Sequence, residues 1–154
     1  MNPSENRYLC FRLDDELYGA PLLEVKEVLG IPEITPIPQV PSYFLGIMNL
    51  RGQVITVIDL RLKFGLRANK LAETCIIIFE YSTFSIGVVV DEVHSVISLK
   101  PGELCAPPEA KQTKKTEFIT GIINQDKKMI LTLDIIKALD LKDDGNKILK
   151  QQAA

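Results

Sequence analysis

The sequence predicts a mainly β protein in which two small β-barrels pack against each other, with a few short helices. Two observations support this fold class. Runs rich in Val, Ile, Phe and Tyr recur at strand-like spacing and are separated by Gly, Pro and Asp, which is the pattern of short strands between tight turns. The same order of strands and turns then appears a second time along the 154 residues, so we expect two similar halves.

The first strands are predicted to form a hairpin. An apolar run at 8–13 is followed by a polar turn at 14–16 and a second run at 17–20, which is typical of two antiparallel strands. The next strand is predicted from Val25 to Leu29. Four prolines between residues 32 and 41 then exclude a helix or a central strand, so that stretch is predicted to be an extended connection.

A second hairpin is predicted around Arg51 and Gly52. The apolar runs 46–50 and 53–58 flank this pair, and a two-residue turn containing glycine commonly joins antiparallel strands. The hairpin therefore places an arginine at its tip.

Short helices are predicted after the last strand of each half. Asp59 and Asp134 each end an apolar run and are expected to cap helices over residues 60–64 and 135–139. The proline-containing polar stretch 100–115 is predicted to be a long exposed loop.

The internal repeat is found by sliding the sequence along itself. A shift of 68 residues aligns the first strands of the two halves, and a shift of 75 aligns their later strands. The difference between the two shifts falls in a connection, where insertions are tolerated. The aligned pairs include Leu9 with Ile77, Phe11 with Phe79, Gly19 with Gly87, Glu24 with Glu92, Val25 with Val93, Val28 with Val96, Gly46 with Gly121, Asn49 with Asn124 and Asp59 with Asp134.

The repeat sets the predicted domain boundaries. Residues 8–141 are expected to form one domain, with residues 8–67 as the first barrel half and residues 74–141 as the second. Each half has roughly 70 residues, a length at which a single core is only marginally stable, so we expect the halves to pack together. Residues 1–7 and 142–154 are predicted to be flexible tails.

Charge and hydropathy exclude several classes of partner. The 18 basic and 20 acidic side chains give a formal net charge of -2, so the chain lacks the basic excess that binds nucleic acid. The N-terminal residues are polar, and the longest apolar runs are too short to cross a bilayer. We therefore expect a cytoplasmic protein without direct membrane insertion.

No motif for catalysis or metal binding is found. His94 is the single histidine, and Cys10, Cys75 and Cys105 are far apart in the sequence, so neither a disulfide framework nor a zinc site is predicted. We interpret His94 as an outward strand residue, and Cys10 and Cys75 as small buried hydrophobic residues. The glycine motifs of nucleotide-binding sites and hydrolases are also missing. The chain is therefore predicted to be non-catalytic and to need no cofactor.

Without such chemistry, the candidate site is a surface for protein contacts. Arg51 is either a solvated turn residue or a contact that binds carboxylates or carbonyls of a partner. Val25 and Glu27 point to one face of their strand if it is extended, either as a core residue beside a solvated one or as part of a contact surface. The pair Asp91-Glu92 opens the equivalent strand of the second half, which favours an architectural role.

Several motifs closely resemble the signature of the CheW family. The similarity extends from about Tyr8 to Leu141, and one departure is Thr56, where the family usually has proline; this change is not expected to alter the fold. The motifs are Gly46-Ile47-Met48-Asn49-Leu50-Arg51-Gly52-Gln53-Val54, Val57-Ile58-Asp59-Leu60-Arg61, Tyr18-Gly19, Val25-Lys26-Glu27-Val28, Phe84 to Val93 and Phe118-Ile119-Thr120-Gly121.

The resemblance implies two SH3-like, five-stranded β-barrels with a groove between them. It also implies an adaptor that binds the cytoplasmic tip of a methyl-accepting chemoreceptor and the regulatory domain of the histidine kinase CheA. That kinase domain is itself CheW-like, so other CheW-like domains are further candidate partners. The residues implied to contact partners are Val25, Glu27, Asn49, Arg51 and Gly52, with Val88 and Val90 lining the groove.

Other readings of the sequence stay open at this point. An adaptor of the same class also serves pathways for pili or surface sensing. A CheV-like protein would continue into a receiver domain, whereas this chain ends at Ala154. A kinase regulatory domain cut from a longer protein is a further alternative, which the Met1 start and the tail argue against. From another class, a small-ligand or hydrolytic barrel would use His94, and turnover lost in His94→Ala would reveal it.

Overall fold

The computed structural model describes residues 6–69, 71–107 and 118–139. The predicted tails fall outside these ranges apart from Asn6 and Arg7, and Arg7 already belongs to the first strand. The strands are β1 (Arg7–Leu13), β2 (Glu16–Pro21), β3 (Val25–Gly30), β4 (Phe44–Leu50), β5 (Gln53–Asp59), β6 (Cys75–Glu80), β7 (Ser85–Val90), β8 (Glu92–Ser98), β9 (Leu104–Cys105), β10 (Ile119–Gln125) and β11 (Lys128–Leu133). The helices are α1 (Leu60–Lys63) and α2 (Ile135–Leu139), and Leu22–Glu24 forms a 3-10 turn. The mainly β fold class with short helices is confirmed.

The internal repeat is present in the strand pairing. Phe11 of β1 lies opposite Val93 of β8, and the equivalent Phe79 of β6 lies opposite Val25 of β3. Both strand pairs have a register irregularity beside these residues. The parallel pairs β2–β11 and β7–β5 share the same register: Tyr18–Leu131 and Gly19–Thr132 correspond to Ile86–Thr56 and Gly87–Val57. The two halves therefore share one pattern of backbone hydrogen bonds.

The halves exchange strands, so the predicted barrel halves 8–67 and 74–141 are not the structural units. One sheet has the order β3-β6-β7-β5-β4, and the other has the order β8-β1-β2-β11-β10-β9. Each barrel takes its β1–β2 or β6–β7 hairpin from one half and its remaining strands from the other. The aligned repeat shows which strands are equivalent. It does not show whether a strand pairs within its own half or with the other half, because both pairings fit the same apolar pattern. The parallel pairing of β2 with β11 and of β5 with β7 decides between them.

A shared core joins the two sheets. Phe11 and Leu13 of the six-stranded sheet pack in one cluster with Ile77 and Phe79 of the five-stranded sheet, and α2 adds Leu139. All five side chains are fully shielded from solvent, and burial of each contributes about 1.5–3 kcal/mol. Because each barrel contains strands from both halves, the halves are packed as one unit, as predicted.

The proline-rich connection is extended, as predicted, and it covers the edge of β4. Thr35 exchanges two backbone hydrogen bonds with Ile47, at 2.8 and 2.9 Å. Gly46 permits this approach, because its φ is +142° and a Cβ there would lie 2.0 Å from the Thr35 carbonyl oxygen. In the other barrel β9 covers β10 in the same way. The predicted loop 100–115 therefore contains a short strand, and its residues 108–115 lie outside the described ranges.

Both predicted helix caps are present. The Asp59 carboxylate accepts a hydrogen bond from the backbone N–H of Arg61 at 3.0 Å, and Asp134 accepts one from the N–H of Lys137 at 3.1 Å. The first helix ends one residue earlier than predicted, and the second spans the predicted residues. The two aspartates mark equivalent points at which strands of the two barrels end.

Candidate protein-docking surface

The β4–β5 hairpin presents Arg51 to solvent. Arg51 and Gly52 both have left-handed backbone conformations, with φ of +52° and +85°, as the preferred two-residue hairpin turns require. The Asn49 side chain accepts a hydrogen bond from the Gly52 N–H at 3.0 Å. The hairpin is confirmed, and the side chain of Asn49 holds its turn in shape.

Arg51 forms an ion pair with Glu27 across the five-stranded sheet. Arg51 Nη1 lies 2.6 Å from Glu27 Oε1, and Arg51 Nη2 lies 3.1 Å from Glu27 Oε2. The hydrogen bond from Arg51 lowers the pKa of the Glu27 carboxyl. Since β3 and β4 are the two edges of this sheet, the pair links the edges and holds both side chains in one geometry. The Arg51 side chain stays 68% exposed.

Exposed apolar side chains follow each member of the ion pair in sequence. Val28 comes next to Glu27 and is 40% exposed, and Val54 lies two residues beyond Gly52 and is 47% exposed. Val25 is partly buried and packs against the shared core. We call Glu27, Arg51 and Val54 the hairpin surface; Val28 points to the opposite face of β3 from Glu27. The hairpin surface combines an oriented charge with apolar area, which is the composition of protein contact sites.

Val88 and Val90 do not belong to an exposed groove. Both are fully shielded from solvent and are members of the shared core. Every residue of β7 is buried, because β7 is the central strand of its sheet and is covered on both faces. The implied role of these two valines as groove-lining contacts is therefore corrected, and their contribution is to packing.

Comparison with known proteins identifies the family. The model described as CheW-like domain matches residues 7–143. The chain belongs to the CheW-like family. It is 34% identical over 137 residues to Chemotaxis protein CheW of Klebsiella aerogenes. That alignment covers 88% of this chain and 82% of the relative. It is 30% identical over 148 residues to Chemotaxis protein CheW of Bacillus subtilis, in an alignment that covers 96% of this chain and 94% of the relative.

A solved structure agrees with this CheW-like fold. The scaffolding protein TtCheW from Thermoanaerobacter tengcongensis superimposes with a TM-score of 0.80 at 35% identity, over 92% of this chain and 95% of that one. The resemblance seen in the sequence is thus confirmed, together with the two SH3-like barrels that it implied.

A buried ion cluster, which the sequence did not predict, ties the two barrels of this CheW-like protein together. Arg61 Nη2 lies 2.9 Å from Asp59 Oδ2, and Arg61 Nη1 lies 2.8 Å from Asp91 Oδ1. Asp91 also accepts a hydrogen bond from the Asp14 N–H at 2.6 Å, while hydrogen bonds to Asp59 raise the pKa of Arg61. We call Asp59, Arg61 and Asp91 the closed seam. The Asp-Leu-Arg motif was visible in the sequence, but its partner lies 30 residues away.

The predicted positions of His94 and Cys10 are confirmed, whereas Cys75 is less buried than predicted. His94 is exposed, Cys10 is buried, and Cys75 is only partly buried. Burial raises the pKa of the Cys10 thiol, which lowers its reactivity. Cys10 and His94 line an open pocket of about 140 Å³ together with residues of the β10–β11 hairpin. In the described part of the chain, no group of three or more His, Cys, Asp or Glu side chains is arranged to hold a metal ion, and no helix there is long and apolar enough to span a membrane.

Proposed function

We propose that this CheW-like protein is a non-catalytic chemotaxis adaptor of the cytoplasm that couples methyl-accepting chemoreceptors to a CheA-type histidine kinase. The observation that carries the proposal is the hairpin surface, where Glu27 orients the exposed guanidinium of Arg51 and the exposed Val54 follows the turn. The names of its relatives, Chemotaxis protein CheW and a scaffolding protein, support the same function.

Arg51 is organised in advance for a partner contact. Two hydrogen bonds to Glu27 fix the plane of the guanidinium, while most of the side chain stays exposed. A guanidinium held in this way loses less side-chain entropy when its free N–H groups donate to a carboxylate or carbonyl of a partner. The exposed Val54, two residues beyond Gly52, then adds apolar contact area to that polar interaction.

The adaptor acts by positioning its partners. The kinase regulatory domain is itself CheW-like, so the contact is between barrels, and repeated contacts of this kind can close into rings. Further CheW-like domains are candidate partners for the same reason. Bringing the receptor and the kinase together lets a small receptor rearrangement bias the kinase, which requires a coupling free energy of only about 1–3 kcal/mol. No cofactor takes part.

The test is titration calorimetry against two probes from the same genome, the CheA regulatory domain and a cytoplasmic receptor fragment. Arg51→Ala and Glu27→Ala are expected to weaken at least one complex about tenfold, since arginine contacts of this kind are often dominant at interfaces. Arg67→Ala is the matched control, because it removes another exposed arginine outside the hairpin surface.

Two results separate the parts of this proposal. Wild-type protein that binds neither probe would show that the adaptor function is wrong. If the wild type binds but Arg51→Ala lowers the affinity no more than Arg67→Ala does, the adaptor function stands. The docking surface would then lie outside the hairpin surface.

A further inference from the structure

The closed seam lies at one of the two places where the chain passes from one barrel to the other. In the described part of the chain these passages are the turn Leu22–Glu24, between β2 and β3, and the single residue Asp91, between β7 and β8. The hairpin surface belongs wholly to the five-stranded sheet, whereas β1, β2 and β8 belong to the six-stranded sheet. A displacement of the six-stranded barrel therefore reaches the hairpin surface through the packed junction and these two passages.

Asp91 is bound from both sides of its passage. On the side of the five-stranded sheet, its Oδ1 accepts a hydrogen bond from Arg61 Nη1 at 2.8 Å. On the side of the six-stranded sheet, its Oδ2 accepts one from the Asp14 N–H at 2.6 Å, and its own N–H donates to the Arg12 carbonyl at 3.1 Å. A single linking residue is thus held by contacts to both barrels.

The Arg61 guanidinium makes three further hydrogen bonds inside the junction. Nε and Nη2 donate to the two Asp59 carboxylate oxygens at 3.0 and 2.9 Å, and Nη1 also donates to the Asn69 carbonyl at 2.6 Å. The side chains of all three closed-seam residues are almost completely buried. A forked guanidinium that binds two carboxylates fixes direction as well as distance, whereas the apolar packing of the shared core is non-directional.

The internal repeat shows that this fold does not need an ion cluster at such a position. The shifts of 68 and 75 residues place Leu23 at the position of Asp91 and Ile136 at that of Arg61, and both are partly exposed. Replacing a complete buried ion cluster by apolar residues is often neutral for stability, because desolvation offsets the attraction between the charges. The closed seam is therefore better explained by the geometry that it fixes than by the stability that it adds.

We propose that the closed seam fixes the orientation of the hairpin surface relative to the six-stranded barrel, and that Arg61 is a positioning residue on which receptor-dependent control of the kinase depends. This inference rests on the proposed adaptor function. When the two barrels move as one rigid body, a partner that moves the six-stranded barrel also moves the hairpin surface. A looser junction absorbs part of that movement and lowers the coupling between the two partners.

The first variant keeps the charge of Arg61 and changes its geometry. Lysine is a point charge without the fork that binds two carboxylates, so Arg61→Lys loosens the closed seam. Arg12→Lys is the matched control, because Arg12 pairs with Glu92 within the six-stranded sheet. Affinities for the CheA regulatory domain and the receptor fragment are measured by calorimetry. The activity of full-length CheA from the same genome is measured with and without the receptor fragment, at saturating adaptor.

We expect Arg61→Lys to keep both affinities within about twofold of the wild type and to lower the receptor-dependent change in kinase activity about threefold or more. Arg12→Lys should leave affinity and kinase control unchanged. A residue that only stabilises the fold would not separate these two readouts. Kinase control that falls only in proportion to affinity in Arg61→Lys, or that does not fall at all, would therefore overturn the inference.

A second variant removes the charges of the closed seam altogether. Asp59→Asn/Arg61→Ile/Asp91→Leu introduces the apolar side chains of the equivalent positions, and asparagine still caps the helix. We expect a melting temperature within about 5 °C of the wild type and the same loss of kinase control. A triple variant that controls the kinase as well as the wild type would overturn the inference. Wild-type protein that binds neither probe, or that gives no receptor-dependent change in kinase activity, would instead refute the adaptor function itself.

Discussion

The closed seam has a counterpart in the other half of the repeat, which we call the open seam. The shifts of 68 and 75 residues place Leu23 at the position of Asp91, Glu24 at that of Glu92, Asp134 at that of Asp59 and Ile136 at that of Arg61. The two seams share a backbone arrangement and differ in the side chains that fill it. Both follow the end of a strand that stops at a helix-capping aspartate. In the closed seam Asp59 and Asp91 both form ion pairs with Arg61, whereas Leu23 and Ile136 of the open seam are partly exposed. The difference shows that a duplicated fold can fill one position with a buried ion cluster and the equivalent position with partly exposed apolar side chains.

The largest expected effect is at the closed seam. Arg61→Ala leaves two buried carboxylates without a counter-ion, and removing one partner of a buried ion cluster costs about 3–5 kcal/mol. Ile136→Ala, at the equivalent position of the open seam, is expected to cost less than about 1 kcal/mol because its side chain is partly exposed already. Urea denaturation of both variants measures the difference. Equal losses would contradict the division into a closed and an open seam.

Equivalent glycines test how closely the two barrels match. An Ala side chain at Gly46 would meet the Thr35 backbone at 2.0 Å, and its φ of +142° is unfavourable for other residues, so Gly46→Ala is expected to cost about 3 kcal/mol. At Gly121 the nearest atom is the Leu104 Cδ1 at 2.8 Å, the end of a side chain that can move. Gly121→Ala should therefore be the milder variant in thermal denaturation, and the reverse order would show that β9 is the more rigid cover.

A smaller change in stability, a gain rather than a loss, is expected when the carboxylate of Glu24 is removed from the open seam. Burial raises the pKa of Glu24 in the folded protein, a hydrogen bond with Tyr81 offsets part of this rise, and Asp134 adds to it. Because the net direction is upward, the contribution of Glu24 to stability is present below the ordinary carboxyl pKa and is lost as the pH rises through the raised value. Glu24→Gln should therefore stabilise the protein at neutral pH by about 0.5 kcal/mol, after allowance for solvent screening, and the gain should vanish at low pH. Melting temperatures of the wild type and of Glu24→Gln are measured from about pH 3 to about 7. A difference between them that stays constant across this range would contradict the prediction.

The smallest effect on stability is expected at the hairpin surface. The Arg51–Glu27 pair is solvent-exposed, and such pairs contribute little to folding. Arg51→Ala should leave the melting temperature within about 2 °C of the wild type, as should Asp126→Ala at the equivalent turn of the other barrel. A large loss of thermal stability in Arg51→Ala alone would make Arg51 a structural residue rather than a docking residue.

Features set by neighbouring residues were predicted well. The hairpin turn at Arg51 and Gly52 and the caps at Asp59 and Asp134 depend on residues within a few positions of each other, and the structure contains all of them. The repeat was also predicted, since equivalent strands keep the same spacing of apolar residues.

Features set by pairing between distant segments were not predicted. The sequence alone determined a duplicated, mainly β chain with an arginine at a hairpin tip, because alternation, turns and caps are local. The tertiary structure decided that the halves exchange strands, that Val88 lies in the core, and that Arg61 meets Asp91. Two halves with the same pattern can pair within themselves or with each other, and the free energy that separates these arrangements comes from packing and ion pairing across the whole fold.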